Sequence, residues 1–158
     1  MHPVEVRPAA LAEGPTISRL LAEVIRESYT SLLGETTTRR LVNTNCSLTR
    51  INAEIAIPGG APGWLGWLVA TDTGGRILGA VAGGVPTHGE GELYVLCTVP
   101  DRRREKVGSA LLVATTERML LHGAARQSVS LQAEADPALP FYAAHGFTGT
   151  GQRLRRPL

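Results

Sequence analysis

The clearest periodic pattern in the chain is an apolar stripe at Ile17, Leu20, Leu21, Val24 and Ile25, continued by Ser28. Steps of three and four place these residues on one helix face. Pro15 suits the first turn of that helix. The stripe predicts a core-facing helix with no chemistry of its own. Ahead of it, "VEVRP" at residues 4–8 alternates and predicts a first strand. A second helix is expected over residues 36–53, less buried because its apolar spacing is poorer. "PGGAPG" at residues 58–63 ends it in a loop.

"WLVATD" and "ILGAVAGG" flank Thr73, Gly74, Gly75 and Arg76. Two apolar runs around a Gly-Gly turn predict a β-hairpin. "PTHGEGE" at residues 86–92 predicts a loop, and "LYVLCTV" at residues 93–99 a β-prone strand stopped by Pro100. From Val107 to about His122 the period turns helical, with Gly123 as the stop. "QSVSLQA" at residues 127–133 predicts a fifth strand. Asp136 and Pro137 predict the cap and first turn of a short helix reaching about Ala144. The tail "GQRLRRPL" predicts a last strand. The predicted order is β-α-α-β-β-β-α-β-α-β, a mixed α/β (α+β) layout with a βαβ crossover in its second half.

Composition narrows the class. The chain has 158 residues, 43% hydrophobic and 19% charged, which fits one globular domain over residues 1–158. Net charge is only +2, too small to point to nucleic acid. Fifteen of the sixteen basic residues are Arg, and the one lysine is Lys106. Cys46 and Cys97 form no metal-like pair and are expected as reduced thiols. No apolar run of membrane-spanning length and no signal-peptide layout is present, so a cytoplasmic protein with no membrane partner is expected.

One stretch does not fit an ordinary helix entrance. "RRREKVGSALL" puts Arg102, Arg103, Arg104 and Lys106 between a strand and a helix that opens on Gly108, Ser109 and Ala110. Helix starts carry unpaired N–H groups and the positive end of the dipole, so acidic residues are the usual choice there. Basic residues favour an anionic ligand such as a diphosphate over a merely solvated entrance. The Walker pattern is absent, and no early strand is followed by G-x-G-x-x-G.

"ELYVLCTVPDRRREKVGSALL" resembles the central motif of the GNAT superfamily of acyl-CoA N-acyltransferases, a strand followed by [QR]-x-x-G-x-[GA] and a helix. Arg103 matches the opening position and Gly108 the last, while Lys106 stands where the family usually has its first glycine. "ALPFYAAHGF" is similar to the later motif A-x-x-F-Y-x-x-x-G-F through Ala138, Phe141, Tyr142, Gly146 and Phe147.

The resemblance implies a mixed central sheet of about six to seven strands with helices on both faces. It implies an acetyl-CoA-dependent N-acetyltransferase acting on a primary amine of a small molecule or peptide, by direct attack in a ternary complex. Acetyl-CoA is the co-substrate, and no metal is expected. Its pyrophosphate would meet Arg103, Arg104, Glu105, Lys106, Val107, Gly108 and Ser109. Its pantetheine would pair with strand backbone near Cys97, Thr98 and Val99, beside Ala138 and Phe141.

Tyr142 would protonate the departing thiolate. Glu92 is the candidate base, with Glu134 in reserve. Tyr29, Trp64 and Glu90 are candidate acceptor contacts, with Glu35, Trp67 and His88 nearby in the same elements. His122 and His145 are expected at the surface. A non-catalytic acyl-CoA-binding or regulatory module is the alternative, kept open by Lys106 and by Ala135, where the family often has Asn. A monomer or homodimer is expected.

Overall fold

The computed structural model describes residues 4–56, 62–101 and 106–158. Strand β1 is Glu5–Pro8, followed by a 3-10 turn at Leu11–Glu13. Three helices come next: α1 (Gly14–Leu33), α2 (Glu35–Asn45) and α3 (Leu48–Ala56). Then follow β2 (Trp64–Thr71), β3 (Ile77–Thr87), β4 (Glu90–Thr98) and α4 (Val107–Leu121). The chain closes with β5 (Arg126–Ser130), α5 (Leu139–Ala144) and β6 (Arg153–Pro157).

The six strands lie in sequence order in one sheet. Neighbours are antiparallel except β4 and β5, which the α4 crossover makes parallel. That one parallel pair decides the shape. Its register runs only from Glu90↔Arg126 to Leu93↔Val129. Beyond those residues the two strands are no longer paired, and a cleft opens between them.

The predicted hairpin forms at Asp72, whose Oδ1 accepts the N–H groups of Gly74 and Arg76, both at 2.9 Å. Three expectations need correction. The single helix over residues 36–53 is two helices, broken at Cys46 and Ser47. Ser18 Oγ donates to the Cys46 carbonyl at 2.6 Å, and Ser47 Oγ accepts the Arg50 N–H, starting α3 afresh. The loop over residues 86–92 is mostly strand, because β3 and β4 meet in a tight turn with Gly89 at φ 77°. The fifth strand stops at Ser130, since the Leu131 N–H turns to the Gln152 carbonyl. The predicted loop at residues 58–63 lies largely outside the described residues.

Helix α4 packs against β1 to β4 on one face of the sheet, and α1 and α3 contact the other. The sheet makes room for α4 with glycine. A Cβ at Gly83 would stand 2.7 Å from Met119 Cε, and one at Gly91 2.7 Å from Met119 Sδ. Met119, Leu111, Leu112 and Val107 of α4 are fully buried, as are Leu78, Val69 and Val81 of the sheet. Each such side chain contributes about 1.5–3 kcal/mol on burial. No helix among the described residues is long and apolar enough to cross a membrane.

Candidate active site

The gap between β4 and β5 opens into a cavity of about 620 Å³. Its walls are residues 94–98 of β4, residues 129–132 at the end of β5, the first turn of α4, and Asp136, Pro137, Ala138, Phe141 and Tyr142. Its roof is α1 and α2, through Leu21, Val24, Ile25, Ser28, Tyr29, Leu41 and Asn45. The apolar stripe of α1 therefore has two roles. Ile17, Leu20 and Leu21 are buried in the core, while the stripe's C-terminal half faces the cavity.

The floor of the cleft is an open strand edge. Along an antiparallel ladder, successive residues send their N–H and C=O groups to opposite edges. The Val99 N–H donates to the Leu78 carbonyl at 2.8 Å, so Val99 and Cys97 direct their backbone groups toward β3. Leu96 and Thr98 then present theirs to the cleft. Of the strand residues expected to pair with a pantetheine, Val99 is already bonded within the sheet, while Thr98 faces the cleft with its backbone, as does Leu96. Cys97 still lines the cleft.

At one end stands the start of α4. Its first intrahelical bond is from Ala110 N–H to the Lys106 carbonyl, 3.1 Å. The amides of Val107, Gly108 and Ser109 precede it and have no intrahelical acceptor. Lys106 caps this turn with φ 62°, the one non-glycine residue with positive φ among those described. The resemblance places a glycine here, and the backbone explains why: the turn needs the left-handed region that glycine enters without strain. Val107 itself is a core side chain with no exposure. Arg103, Arg104 and Glu105 lie outside the described residues.

Gly108, Ala138 and Phe141 come together at the cavity wall. Phe141 lies over Gly108, packs tilted against His145 at 4.7 Å and meets Tyr142 edge-on at 5.2 Å. His145 is half-buried rather than at the surface, because its Nε2 reaches Ser109 Oγ at 3.0 Å. Burial, with the nearby Arg156 charge, holds its imidazole below the usual value. Tyr142 is 5% exposed and lines the cavity. Burial, Asp136 and the Cys97 thiol all push its phenol upward, so it stays protonated.

The candidate base stands differently. Both oxygens of Glu92 accept from Arg153, at 2.6 and 2.8 Å, and Arg153 also donates to Ser130 Oγ at 2.8 Å. Glu92 is not part of the cavity wall; it ties β4 to β6 across β5. Glu134 is exposed on a loop. Glu90 is corrected as an acceptor contact: it sits at the β3–β4 turn, held by Arg126, where the sheet is closed. His88 shares that turn. Trp64 stands one layer back, packed on Tyr94 at 5.9 Å with its Nε1–H given to the Glu54 carbonyl. Trp67 is a core residue bound to Glu54. Tyr29 does line the cavity.

The carboxylate that lines the cleft is Asp136, which sequence alone offered only as a helix cap. It is 3% exposed. Its oxygens accept from Tyr29 OH at 2.9 and 2.8 Å, from Gln132 N–H at 2.9 Å and from Ala138 N–H at 2.8 Å. Helix α5 therefore starts at Leu139, not at Pro137. No sequence pattern marks this contact, because Tyr29 and Asp136 are 107 residues apart.

A family model for the acetyltransferase (GNAT) domain matches residues 63–149, more than half of the chain. The chain belongs to the GNAT acetyltransferase domain family. The match spans β2 through α5, which carries the splayed strands and the start of α4.

Solved structures agree on the GNAT fold over the whole length. The PaiA N-acetyltransferase of Thermoplasma acidophilum, solved with coenzyme A, superposes with TM-score 0.86 at 17% identity, covering 99% of both chains. A GCN5-related N-acetyltransferase from Rhodopseudomonas palustris gives TM-score 0.81 at 17% identity, covering 100% of this chain and 98% of that one. A GNAT family acetyltransferase from Brucella melitensis, solved with acetyl-CoA, gives 0.64 at 18% identity over 98% and 88%. No curated protein matches the sequence at a significant level.

Proposed function

We propose that the chain acts, as one domain, as an acetyl-CoA-dependent N-acetyltransferase for a primary amine. The observation that carries this reading is the sharing of one cleft by the open β4 edge, the first-turn amides of α4, which have no acceptor within the helix, and Tyr142. Coenzyme A and acetyl-CoA in the T. acidophilum and B. melitensis structures support it.

The residues fit the ligand part by part. The amides of Val107, Gly108 and Ser109, with Lys106, offer donors and positive charge to a diphosphate. The Leu96 and Thr98 backbone offers an N–H and C=O ladder to the amides of a pantetheine arm, as to an added strand. Ala138 and Phe141 supply apolar contact beside Cys97.

Bound acetyl-CoA supplies a thioester carbonyl for attack. The neutral amine of the acceptor forms the new N–C bond, and the C–S bond breaks. Tyr142, kept protonated by its buried setting, gives its proton to the departing sulfur. The acceptor sheds one proton to become the neutral nucleophile and a second once its N–C bond has formed; both pass to solvent, from which Tyr142 is reprotonated. The cleft holds the reactants together in one place.

Thiol release from acetyl-CoA with a panel of primary amines tests the reading. Amine-dependent release with formation of the acetamide is the expected result. Tight CoA binding with no release for any amine would sink it in favour of a non-catalytic module.

A further inference from the structure

Five carboxylates among the described residues, Glu13, Glu54, Glu90, Glu92 and Asp101, are paired with arginine. Asp136 is not, although no other Asp or Glu of the described residues is buried. Its donors are a phenol and two backbone amides, which are neutral. They satisfy part of its capacity, about four acceptor positions on a carboxylate, but bring no positive charge. Buried charges are as a rule paired, because an uncompensated one is costly in a low-dielectric site. The unpaired carboxylate forms part of the cleft wall, beside Tyr142.

The facing roof is largely apolar, with Ser28 and Asn45 its polar members besides Tyr29. Leu21, Val24 and Ile25 of α1 and Leu41 of α2 form an apolar surface over the cavity, and the Tyr29 phenol reaches from that roof to Asp136. The cleft thus joins a buried negative charge to an apolar chamber.

We infer that the acceptor is a primary amine on an apolar body, its ammonium paired with Asp136 and its body against Leu21, Val24, Ile25 and Leu41. Asp136 is then a specificity-determining residue. A carboxylate on the acceptor near its amine would be repelled, so free amino acids are excluded as a class. The inference rests on the proposed function only for the word acceptor; the binding itself is independent of turnover.

The test uses the full chain without coenzyme and three probes of one length: n-hexylamine, 1-hexanol and hexanoate. Titration by NMR or calorimetry is expected to show hexylamine binding at least about tenfold tighter than hexanol, with any hexanoate held at the α4 amides and Lys106 unaffected by Asp136→Asn. Asp136→Asn should bring hexylamine and hexanol to equal affinity and leave the Kd for CoA within about twofold. Equal affinities in the native protein, or a preference that survives Asp136→Asn, would overturn the inference.

Should Asp136→Asn fail to fold, Tyr29→Phe keeps the carboxylate and frees a lone pair. It should bind hexylamine at least as tightly as the native protein, and a tenfold loss would count against Asp136. Because binding is read without coenzyme, a missing acetyl transfer would sink the enzyme reading alone. Transfer to amines with no Asp136-dependent preference would sink this inference alone.

Discussion

A Cβ placed on Gly108 would stand 3.1 Å from Cε1 of Phe141. This contact joins the two sequence motifs: the first turn of α4 lies directly against the first turns of α5. Glycine here serves packing as much as ligand approach. Gly108→Ala asks Phe141 to move a few tenths of an ångström, and alanine's helix propensity offsets that by up to about 1 kcal/mol. Its Tm should stay within a few degrees of native, with CoA affinity weakened severalfold. Gly108→Glu brings both overpacking, costing about 1–3 kcal/mol, and a negative charge beside the α4 amides. It should lose CoA binding altogether; calorimetric titration showing native affinity would displace the diphosphate from this turn.

Lys106 separates stability from binding. Its left-handed backbone costs about 1 kcal/mol that glycine does not bear. Lys106→Gly should therefore raise the Tm by about 2–4 °C for a chain of this length. The same change removes the positive charge at the cavity mouth, so CoA should bind several times more weakly, with a shallower dependence on salt. Thermal melts and CoA titrations at two ionic strengths decide it. A variant that melts lower would mean the lysine side chain stabilises the turn by contacts stronger than the strain.

Much of the fold is legible in the residue pattern, because each element's period matches its environment. The stripe at Ile17, Leu20 and Leu21 marks α1, and Gly74 with Gly75 between two apolar runs marks the hairpin. The break between α2 and α3 is not legible, since it depends on Ser18 drawing the Cys46 carbonyl across 28 residues of sequence. In the site, Gly108 and Lys106 are readable through the motif they resemble, in which both positions answer a local backbone need. Residues fixed by long-range pairing are not. Glu92 looks like a strand-end base until Arg153, 61 residues on, takes both its oxygens. Asp136 looks like a helix cap until Tyr29 is brought to it.

Tyr142 lends itself to a sharp split between chemistry and structure. Its hydroxyl donates no hydrogen bond to any described residue, so Tyr142→Phe removes nothing the fold uses. Stability should be unchanged within about 0.5 kcal/mol, and the Kd for acetyl-CoA within about twofold. Turnover should fall by about 10²-fold or more if the phenol protonates the sulfur. Steady-state kinetics alongside a melt give the answer, and a parallel loss of rate and affinity would reduce Tyr142 to a packing role.

His145 makes stability depend on pH in a defined direction. Burial first, then Arg156, holds its folded value below 6.5. Below pH 6.5 the unfolded chain takes up the proton more readily than the folded chain. Its contribution is therefore fully present above that pH and is lost as the pH falls through the folded value. Protonation also removes the Nε2 lone pair that can accept from Ser109. The Tm of the native protein should drop more steeply between pH 6.5 and 5 than that of His145→Gln. Parallel curves would assign the acid sensitivity elsewhere.

Glu92 and Arg153 supply the last discrimination. Arg153 is 51% exposed and Glu92 17%, so their pair is screened on one side and contributes about 0.5–1 kcal/mol at most. A double-mutant cycle with Glu92→Gln and Arg153→Gln should return a coupling of that size. A carboxylate whose two oxygens are both held by a guanidinium is poorly placed to receive a proton from the amine. Glu92→Gln should accordingly keep kcat within about threefold, against the 10²–10⁴-fold that a general base supplies. A hundredfold loss with unchanged melting would show that Arg153 lets go of Glu92 when the ternary complex forms, and would restore Glu92 as the base.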